Sequence, residues 1–264
     1  MQEFQGWEHL LATCQSVASG TYSDEILELT REEQPEPVRE LAEAMAFMMV
    51  KVEAREYRLS LLVKELEATN EKLRRSTIGT LSAMARSLGA RDAYTQGHAE
   101  RVADYAQALA RNLALADEDV ETVRVAGLLH DIGKIGFPDR LFEDHAGKNP
   151  PEVVAEIIKH PAHGAAILQD LDFLGEALEF IHSHHERPDG KGYPRRLPGE
   201  RVPLGARIIA VADGYDAMTT DRPYQKALLP EVALGILRKH AGAKWDASCV
   251  EAFARVLEER GLLP

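Results

Sequence analysis

The sequence predicts an all-α protein in which a small helical region and one long helix precede a bundle of helices. Three observations lead to this prediction. Apolar residues recur at steps of three and four through most of the chain, and no segment alternates apolar and polar residues as a half-buried strand does. Glycine and proline are absent between Val38 and Ile78, yet they punctuate the chain after residue 130.

The first element is a short helical region. From Phe4 to Thr30 the pattern predicts short helices separated by a turn at Ser19-Gly20. An acidic segment with two prolines follows, from Glu32 to Pro37. Because proline fits the first turn of a helix and acidic residues suit its amino end, this segment indicates the start of the next helix.

The second element is a long helix with a narrow apolar stripe that persists for about four to five heptads. The stripe consists of Leu41, Met45, Met48, Val52, Leu59, Leu62, Leu66 and Leu73. Either the helix packs this stripe within its own domain, or two copies form a parallel coiled coil that joins two subunits and transmits a signal. The highly charged flanks of the stripe favour the coiled coil. We therefore expect residues 1–80 to form a helical signalling and dimerisation region.

The remaining residues, 81–264, are expected to form one helical domain. Glycine- and proline-rich turns separate its helical patterns. These patterns cover His98–Leu113, Asp119–His130, Pro151–Leu168, Leu174–His185, Leu204–Met218, Pro230–His240 and Ala247–Gly261.

Composition limits the possible functions. The net charge of −12 argues against binding of a nucleic acid polymer, which needs a concentrated basic surface, although a few local cations still suffice for a small anionic substrate. Cys14 and Cys249 lie far apart without metal-binding spacing, which favours a reducing compartment without disulfides. The sequence begins without a signal-peptide pattern and contains no apolar run long enough to span a membrane. We expect a soluble, cytoplasmic protein.

The distribution of histidines indicates a metal site, because seven of the ten lie in the segment from His130 to His185. One isolated histidine is usually structural, whereas a cluster with carboxylate neighbours is typical of a metal site. The pairs His130-Asp131 and His184-His185 both occur where a helical pattern stops. Neighbouring helical side chains point about 100° apart, so an adjacent pair can converge on one ion only near a helix end. Lys134 follows as a charge suited to a phosphate oxygen.

The run His184-His185-Glu186, with Asp189-Gly190 and Gly192-Tyr193-Pro194, resembles the signature of the HD-GYP family when taken with His130-Asp131. The resemblance extends in order from about Thr80 to Leu262, and it implies an HD-type helical bundle. Further matching segments are Tyr94–Val102, Lys159–Leu168, Ala210–Asp213, Asp216–Thr219, Asp221–Tyr224 with Lys226, and Trp245–Phe253.

The resemblance also implies the site. Its metal ligands would be His98, His130, Asp131, His160, His184, His185 and Asp213. Asp131 would bridge two divalent ions, with iron or manganese as the metals that best suit this mixed donor set and zinc or nickel tolerated. Two such ions can generate a bridging hydroxide that attacks phosphorus, which makes Asp131 and Lys134 the expected catalytic residues. Lys134, Arg222, Tyr193 and Pro194 would contact the substrate.

Three further positions qualify this site. Some family members hold a third ion with a glutamate four residues before the equivalent of His98, but this chain has Tyr94 there, so we expect two ions. Glu186 either orients a ligand histidine or is an ordinary surface carboxylate. Asp216 is expected to have a structural role, orienting the helix that carries Asp213.

The family resemblance implies hydrolysis of cyclic di-GMP to linear pGpG, with GMP as a further product if a second bond is cut. Another cyclic dinucleotide is a related possibility. The alternative is a low-activity metal-binding signalling module that binds a cyclic dinucleotide or a GGDEF-type partner protein. A coiled-coil scaffold would account for the long helix but not for the histidines.

Overall fold

The computed structural model describes residues 2–21, 24–91, 97–138, 150–221 and 226–263, and it confirms the all-α prediction. Within those ranges there are short 3-10 helices and two isolated bridges but no strand. The α-helices are α1 (Gln2–Ala18), α2 (Glu36–Arg91), α3 (His98–Asn112), α4 (Asp117–Leu129), α5 (Pro151–Ile157), α6 (His160–Leu168), α7 (Glu176–Ser183), α8 (Leu204–Thr219), α9 (Pro230–Lys239) and α10 (Ala247–Glu259). None of these helices combines the length and apolar composition that a membrane crossing requires.

The chain divides into two compact units, residues 1–73 and 74–264. The first unit has its own small core, in which α1, the 3-10 helix Asp24–Thr30 and the beginning of α2 meet. Its buried residues are Leu10, Ile26, Leu29, Val38, Ala42, Met45 and Met49. The boundary that we expected at residue 80 falls inside α2, which continues to Arg91.

The apolar stripe of α2 is not the face that this core buries. Of its eight members only Met45 is buried, because the core uses Val38, Ala42 and Met49 instead. The other seven are exposed, for example Leu59 at 60% and Leu66 at 61%. The described residues of the first unit therefore leave this stripe open to solvent.

The second unit has a core formed mainly by α3, α4, α8 and α10. Leu109, Leu129 and Ile209 are completely buried there. Tyr215 of α8 and Phe253 of α10 meet edge to face, with ring centroids 5.0 Å apart. This packing holds α8 against α10, and α8 also packs on α3 and α4, whose ends carry His98 and His130.

One helix boundary differs from expectation. The pattern predicted a single helix over Pro151–Leu168, but the structure has α5 and α6 with a turn at residues 158–159. Pro161 lies in the first turn of α6, where its missing amide hydrogen leaves no helical hydrogen bond unmade. The break places His160 at a helix start rather than in a helix interior.

A close backbone contact holds α6 against the 3-10 helix Ile132–Gly136. A β-carbon added to Gly133 would lie 2.0 Å from the carbonyl oxygen of His160 and 2.5 Å from the amide nitrogen of Gly164. Only glycine fits, because these distances are far shorter than any van der Waals contact. The contact therefore sets the separation between His160 and the His130-Asp131 pair.

We expect Gly133→Ala to force the 3-10 helix and α6 apart and to lower the free energy of unfolding by about 1–3 kcal/mol, as overpacking does. Gly136→Ala is the matched control, because Gly136 belongs to the same 3-10 helix and a β-carbon there meets nothing within 4 Å. Its expected effect is within about 0.5 kcal/mol. Urea denaturation of both variants measures the difference, and equal stabilities would contradict the proposed contact.

Candidate metal centre

The structure brings the seven predicted ligands into one region of the second unit, and most of them lie at helix ends. His98 is the first residue of α3 and His160 the first of α6. His130-Asp131 directly follows α4, and His184-His185 directly follows α7. Asp213 is the exception, because it lies within α8. Each helix end turns a side chain towards the same interior point.

Three of the histidine rings are oriented in the same way by the chain that precedes them. In each, the Nδ1 atom lies at hydrogen-bond distance from the carbonyl oxygen three residues earlier. The distances are 2.7 Å from His130 to Gly127, 2.8 Å from His160 to Ile157 and 2.7 Å from His184 to Ile181. Since a carbonyl only accepts, Nδ1 carries the hydrogen and the Nε2 atom presents a lone pair to the interior.

These lone pairs face one another and Asp131. The Nε2 atoms of His160 and His184 are 3.2 Å apart. The two oxygens of Asp131 point to different histidines, with Oδ1 3.3 Å from Nε2 of His160 and Oδ2 3.5 Å from Nε2 of His130. Opposed lone pairs at such distances repel each other, so the arrangement suits cations placed between them.

Two donor groups satisfy the geometry of a metal site, one formed by His160, His184 and His185 and the other by His98, His130 and Asp131. Within each group the ligand atoms lie within 4.8 Å of one another. The buried Nε2 atom of His130 has no hydrogen-bond partner in the part of the chain that is described. A buried polar atom without a partner is costly, and a metal ion would satisfy it. The residues present therefore fit a metal.

Burial and charge determine the protonation of the histidines. Burial lowers the pKa of His160 to about 3 and that of His185 to about 4, and it holds the pKa of His184 well below its usual value. These rings are therefore neutral at physiological pH, as metal ligands must be. Burial acts in the same direction on His98, but hydrogen bonds to Asp213 and Asp216 raise its pKa to about 9. A cation at His98 would have to displace that proton.

The two carboxylates remain ionised. Burial acts to raise the pKa of Asp131, but Lys134 and the surrounding histidines hold it well below the usual range. The pKa of Asp213 is likewise lowered despite burial, chiefly by the hydrogen bond from His98. Neutral imidazoles and ionised carboxylates together form a donor set typical of first-row transition metals.

Asp216 has a more specific role than we expected from the sequence. Its carboxylate is 1% exposed and accepts a hydrogen bond from Nδ1 of His98 at 2.7 Å. Arg101 holds the same carboxylate, with Nε 2.5 Å from Oδ1. Asp216 thus orients His98 rather than merely positioning α8. Arg101 was missed as a supporting residue, although its position one helical turn after His98 was the available signal.

Glu186 matches neither of the two roles considered for it. It is 3% exposed, so it is not a surface carboxylate, and its oxygens contact backbone rather than a histidine. They accept hydrogen bonds from the amide nitrogens of Arg195, at 2.6 Å, and Leu197, at 2.9 Å. Glu186 therefore fixes the loop that follows Tyr193.

The residues expected to contact substrate are only partly described. Lys134 donates to Oδ2 of Asp131 at 2.6 Å, which places its ammonium group directly beside the donor cluster. The ring of Tyr193 lies 4.7 Å from that of His185, and a cis peptide bond joins Tyr193 to Pro194. Arg222 lies outside the described residues. Tyr94, from which we inferred a site of two rather than three ions, also lies outside them.

Comparison with known proteins relates the chain to a family. The HD domain family matches residues 64–249. The cyclic di-GMP phosphodiesterase response regulator RpfG of Xanthomonas campestris is 38% identical over 199 residues, covering 75% of this chain and 52% of that protein. The 3'3'-cGAMP-specific phosphodiesterase 3 of Vibrio cholerae is 36% identical over 184 residues, covering 70% of this chain and 39% of that protein.

Among solved structures, a cyclic GMP-AMP specific phosphodiesterase of V. cholerae superposes with a TM-score of 0.56 over 70% of this chain and 49% of that chain, at 19% identity. At that identity the likeness concerns the fold. The chain spans about half, or less, of the length of the curated relatives described above.

We expect Asp216→Asn to weaken metal affinity by about 10- to 100-fold, as the loss of a residue that orients a ligand does. An asparagine amide nitrogen cannot accept a hydrogen bond, so either His98 or Arg101 loses its partner. Asp246→Asn is the control, because Asp246 instead caps α10 and pairs with Arg207. Titration with Mn²⁺ in competition with a chelator measures both affinities. Equal losses in the two variants would contradict the assignment.

Proposed function

Because the chain belongs to the HD domain family, in its HD-GYP branch, we propose that it is a metal-dependent phosphodiesterase that hydrolyses cyclic di-GMP to linear pGpG, with GMP formed if a second bond is cut. The observation that carries this proposal is the position of Asp131, whose two oxygens face His160 and His130 in two different donor groups. In the proposed division of the chain, residues 81–264 form the catalytic domain and residues 1–80 the signalling region.

The proposed cofactors are two divalent ions, iron or manganese. His160, His184 and His185 would hold one ion, while His98, His130 and Asp213 would hold the other, with Asp131 between them. Such ions supply Lewis acidity towards a phosphate and lower the pKa of water. Metal analysis of anaerobically purified protein tests the number and identity of the ions, and a ratio near three would contradict the two-ion site.

The chain's own residues bind and orient the phosphate. Lys134 is paired with Asp131, and an arriving phosphate oxygen offers its ammonium group a second anionic partner. Arg222 is proposed as a further phosphate contact. Tyr193, whose ring lies 4.7 Å from that of His185, is proposed to line the entrance and to shield the donor groups from bulk water. Shielding strengthens each electrostatic contact with the substrate, because water no longer screens it.

The choice of cyclic di-GMP rests on the relatives. One of those described above is named a cyclic di-GMP phosphodiesterase and the other a 3'3'-cGAMP-specific phosphodiesterase. Both names specify a cyclic dinucleotide as the substrate. The relative named for cyclic di-GMP is the more similar of the two to this chain, at 38% against 36% identity. Parallel assays with both compounds, with product identification, test this choice.

The alternative is a module that binds a cyclic dinucleotide or a GGDEF-type partner with little turnover. The intact donor set favours the enzyme, since a receptor has no need of seven convergent ligands. His163 provides a matched control for this question, because it lies one turn from His160 on α6 but is exposed.

We expect His130→Ala and Asp131→Ala to lower the rate of cyclic di-GMP hydrolysis by about a hundredfold or more, because each removes a group on which transition-state charge stabilisation depends. His163→Ala should retain the wild-type rate. Steady-state assays at saturating Mn²⁺ measure all three. Wild-type protein that binds the dinucleotide without hydrolysing it would favour the receptor.

The exposed stripe of α2 supports a homodimer. Leu59, Leu62, Leu66 and Leu73 are each at least half exposed, at 60%, 50%, 61% and 64%. Their heptad spacing suits a second copy of the same helix, and a parallel coiled coil would bury all of them. We propose that this pairing holds two catalytic domains together and transmits a signal to them.

We expect the full chain to sediment as a dimer and the double variant Leu62→Glu, Leu66→Glu to sediment as a monomer, because charges in the seam oppose pairing. Leu61→Glu is the matched control, since Leu61 is 48% exposed but lies off the stripe. Analytical ultracentrifugation at micromolar concentration distinguishes the states. A monomeric wild type, or an equal effect of both substitutions, would contradict the coiled coil.

A further inference from the structure

A cavity of about 630 Å³ lies beside the metal centre, between the α5–α6 turn and the loop of residues 190–196. We call it the basic pocket and define it by Ile158, Lys159, Ala162, Lys191, Tyr193 and Arg196, which line it. Its volume is in the range of small-ligand sites, which span roughly 300–1,000 Å³. All of its lining residues belong to the second unit.

The charge of this pocket is concentrated and uncompensated. Three cations line it and no carboxylate does. No salt bridge joins Lys159, Lys191 or Arg196 to an acidic side chain in the described ranges of the chain. The nearby carboxylate of Asp189 is occupied by Arg187, at 3.0 and 2.6 Å. In a chain of net charge −12, such a grouping creates a local attraction for anions.

The remaining wall is apolar and suits a planar base. Ile158 is 38% exposed although it is a large hydrophobic residue, and it lines the pocket together with Ala162 and Pro194. Tyr193 adds an aromatic ring. Apolar surface next to phosphate-binding cations is the combination that a nucleotide requires, because the base stacks while the phosphate is paired.

The loop that forms one side of the pocket is held in place before any ligand arrives. Glu186 fixes the amide groups of Arg195 and Leu197. The amide nitrogen of Asp189 donates to the carbonyl oxygen of Ala243 at 3.2 Å, which ties the loop to the turn after α9. Preorganisation of this kind reduces the entropy lost on binding.

Tyr193 connects the pocket with the metal centre. Its ring lines the pocket and also lies 4.7 Å from the ring of His185. Lys159 directly precedes the candidate ligand His160 in the sequence, so one cation of the pocket is adjacent to the metal centre. A ligand whose phosphodiester reaches the metal centre can therefore extend past Tyr193 into the basic pocket.

We propose that the basic pocket is the subsite for the half of the cyclic dinucleotide that is not being cut. Lys159, Lys191 and Arg196 bind the second phosphate, and the second base packs against Ile158 and Tyr193. This assignment rests on the proposed phosphodiesterase function. It explains how a substrate with two phosphates is held when only one of them reacts.

The test compares two substrates of different size. In the double variant Lys191→Gln, Arg196→Gln, the KM for cyclic di-GMP should rise about tenfold or more, because two charge-assisted contacts are lost, while kcat stays within about twofold. Hydrolysis of bis(p-nitrophenyl) phosphate should be unchanged, since this small diester engages only the metal centre. The control double variant Arg201→Gln, Lys239→Gln removes two exposed cations outside the pocket, and it should leave the KM and kcat for both substrates unchanged.

An unchanged KM for cyclic di-GMP would overturn the proposal, and so would an equal loss with both substrates. The charge-preserving variant Lys191→Arg, Arg196→Lys should keep the KM close to that of the wild type.

If the wild type cleaves only the small diester, the proposed function fails, and calorimetric titration of EDTA-treated protein with pGpG then tests the pocket. Weaker binding by the glutamine variant, by about tenfold, would support an anionic nucleotide site, and equal binding would overturn it.

Discussion

The partly buried carboxylate of Asp131 is the constraint on which the rest of the second unit depends. An ionised carboxylate in a protein interior is costly unless positive groups surround it. Here Lys134 is paired with one oxygen, and His130 and His160 approach the two oxygens from different helices. His160 is neutral at physiological pH and presents a lone pair, so it adds no positive charge to the pair formed by Lys134 and Asp131. The interior is therefore arranged around positive charge that ions would supply, and ion binding would stabilise the fold that forms the site.

Helix ends make this arrangement possible. Side chains within a helix diverge, whereas residues at the junction of a helix and a turn can point in a common direction. His98, His130, His160 and His184 all occupy such junctions. The contact at Gly133 brings two of these junctions together without an intervening side chain. For His130, His160 and His184, the carbonyl group three residues earlier also fixes Nδ1, so the orientation of these three rings follows directly from backbone geometry.

Much of the fold was predictable because helix periodicity is a local property. The ends of α3, α8 and α9 fall within a residue of their expected positions, and the candidate ligands lie close together. The contacts that sequence could not reveal join distant segments. Asp216 and His98 are 118 residues apart, so no local pattern links them. Periodicity also could not tell which face of α2 is buried, because Met45 belongs to both the stripe and the core.

The distribution of charge bears on what the site can accept. A net charge of −12 repels a long polyanion over its whole length, whereas a small dianion meets only the local field. In the basic pocket, Lys159, Lys191 and Arg196 are not paired with carboxylates among the described residues, so they offer local attraction to an anion. Screening limits the reach of each charge to about 8–10 Å, close to the size of one nucleotide. A net negative charge together with a small basic pocket therefore favours a small anionic ligand over a nucleic acid polymer.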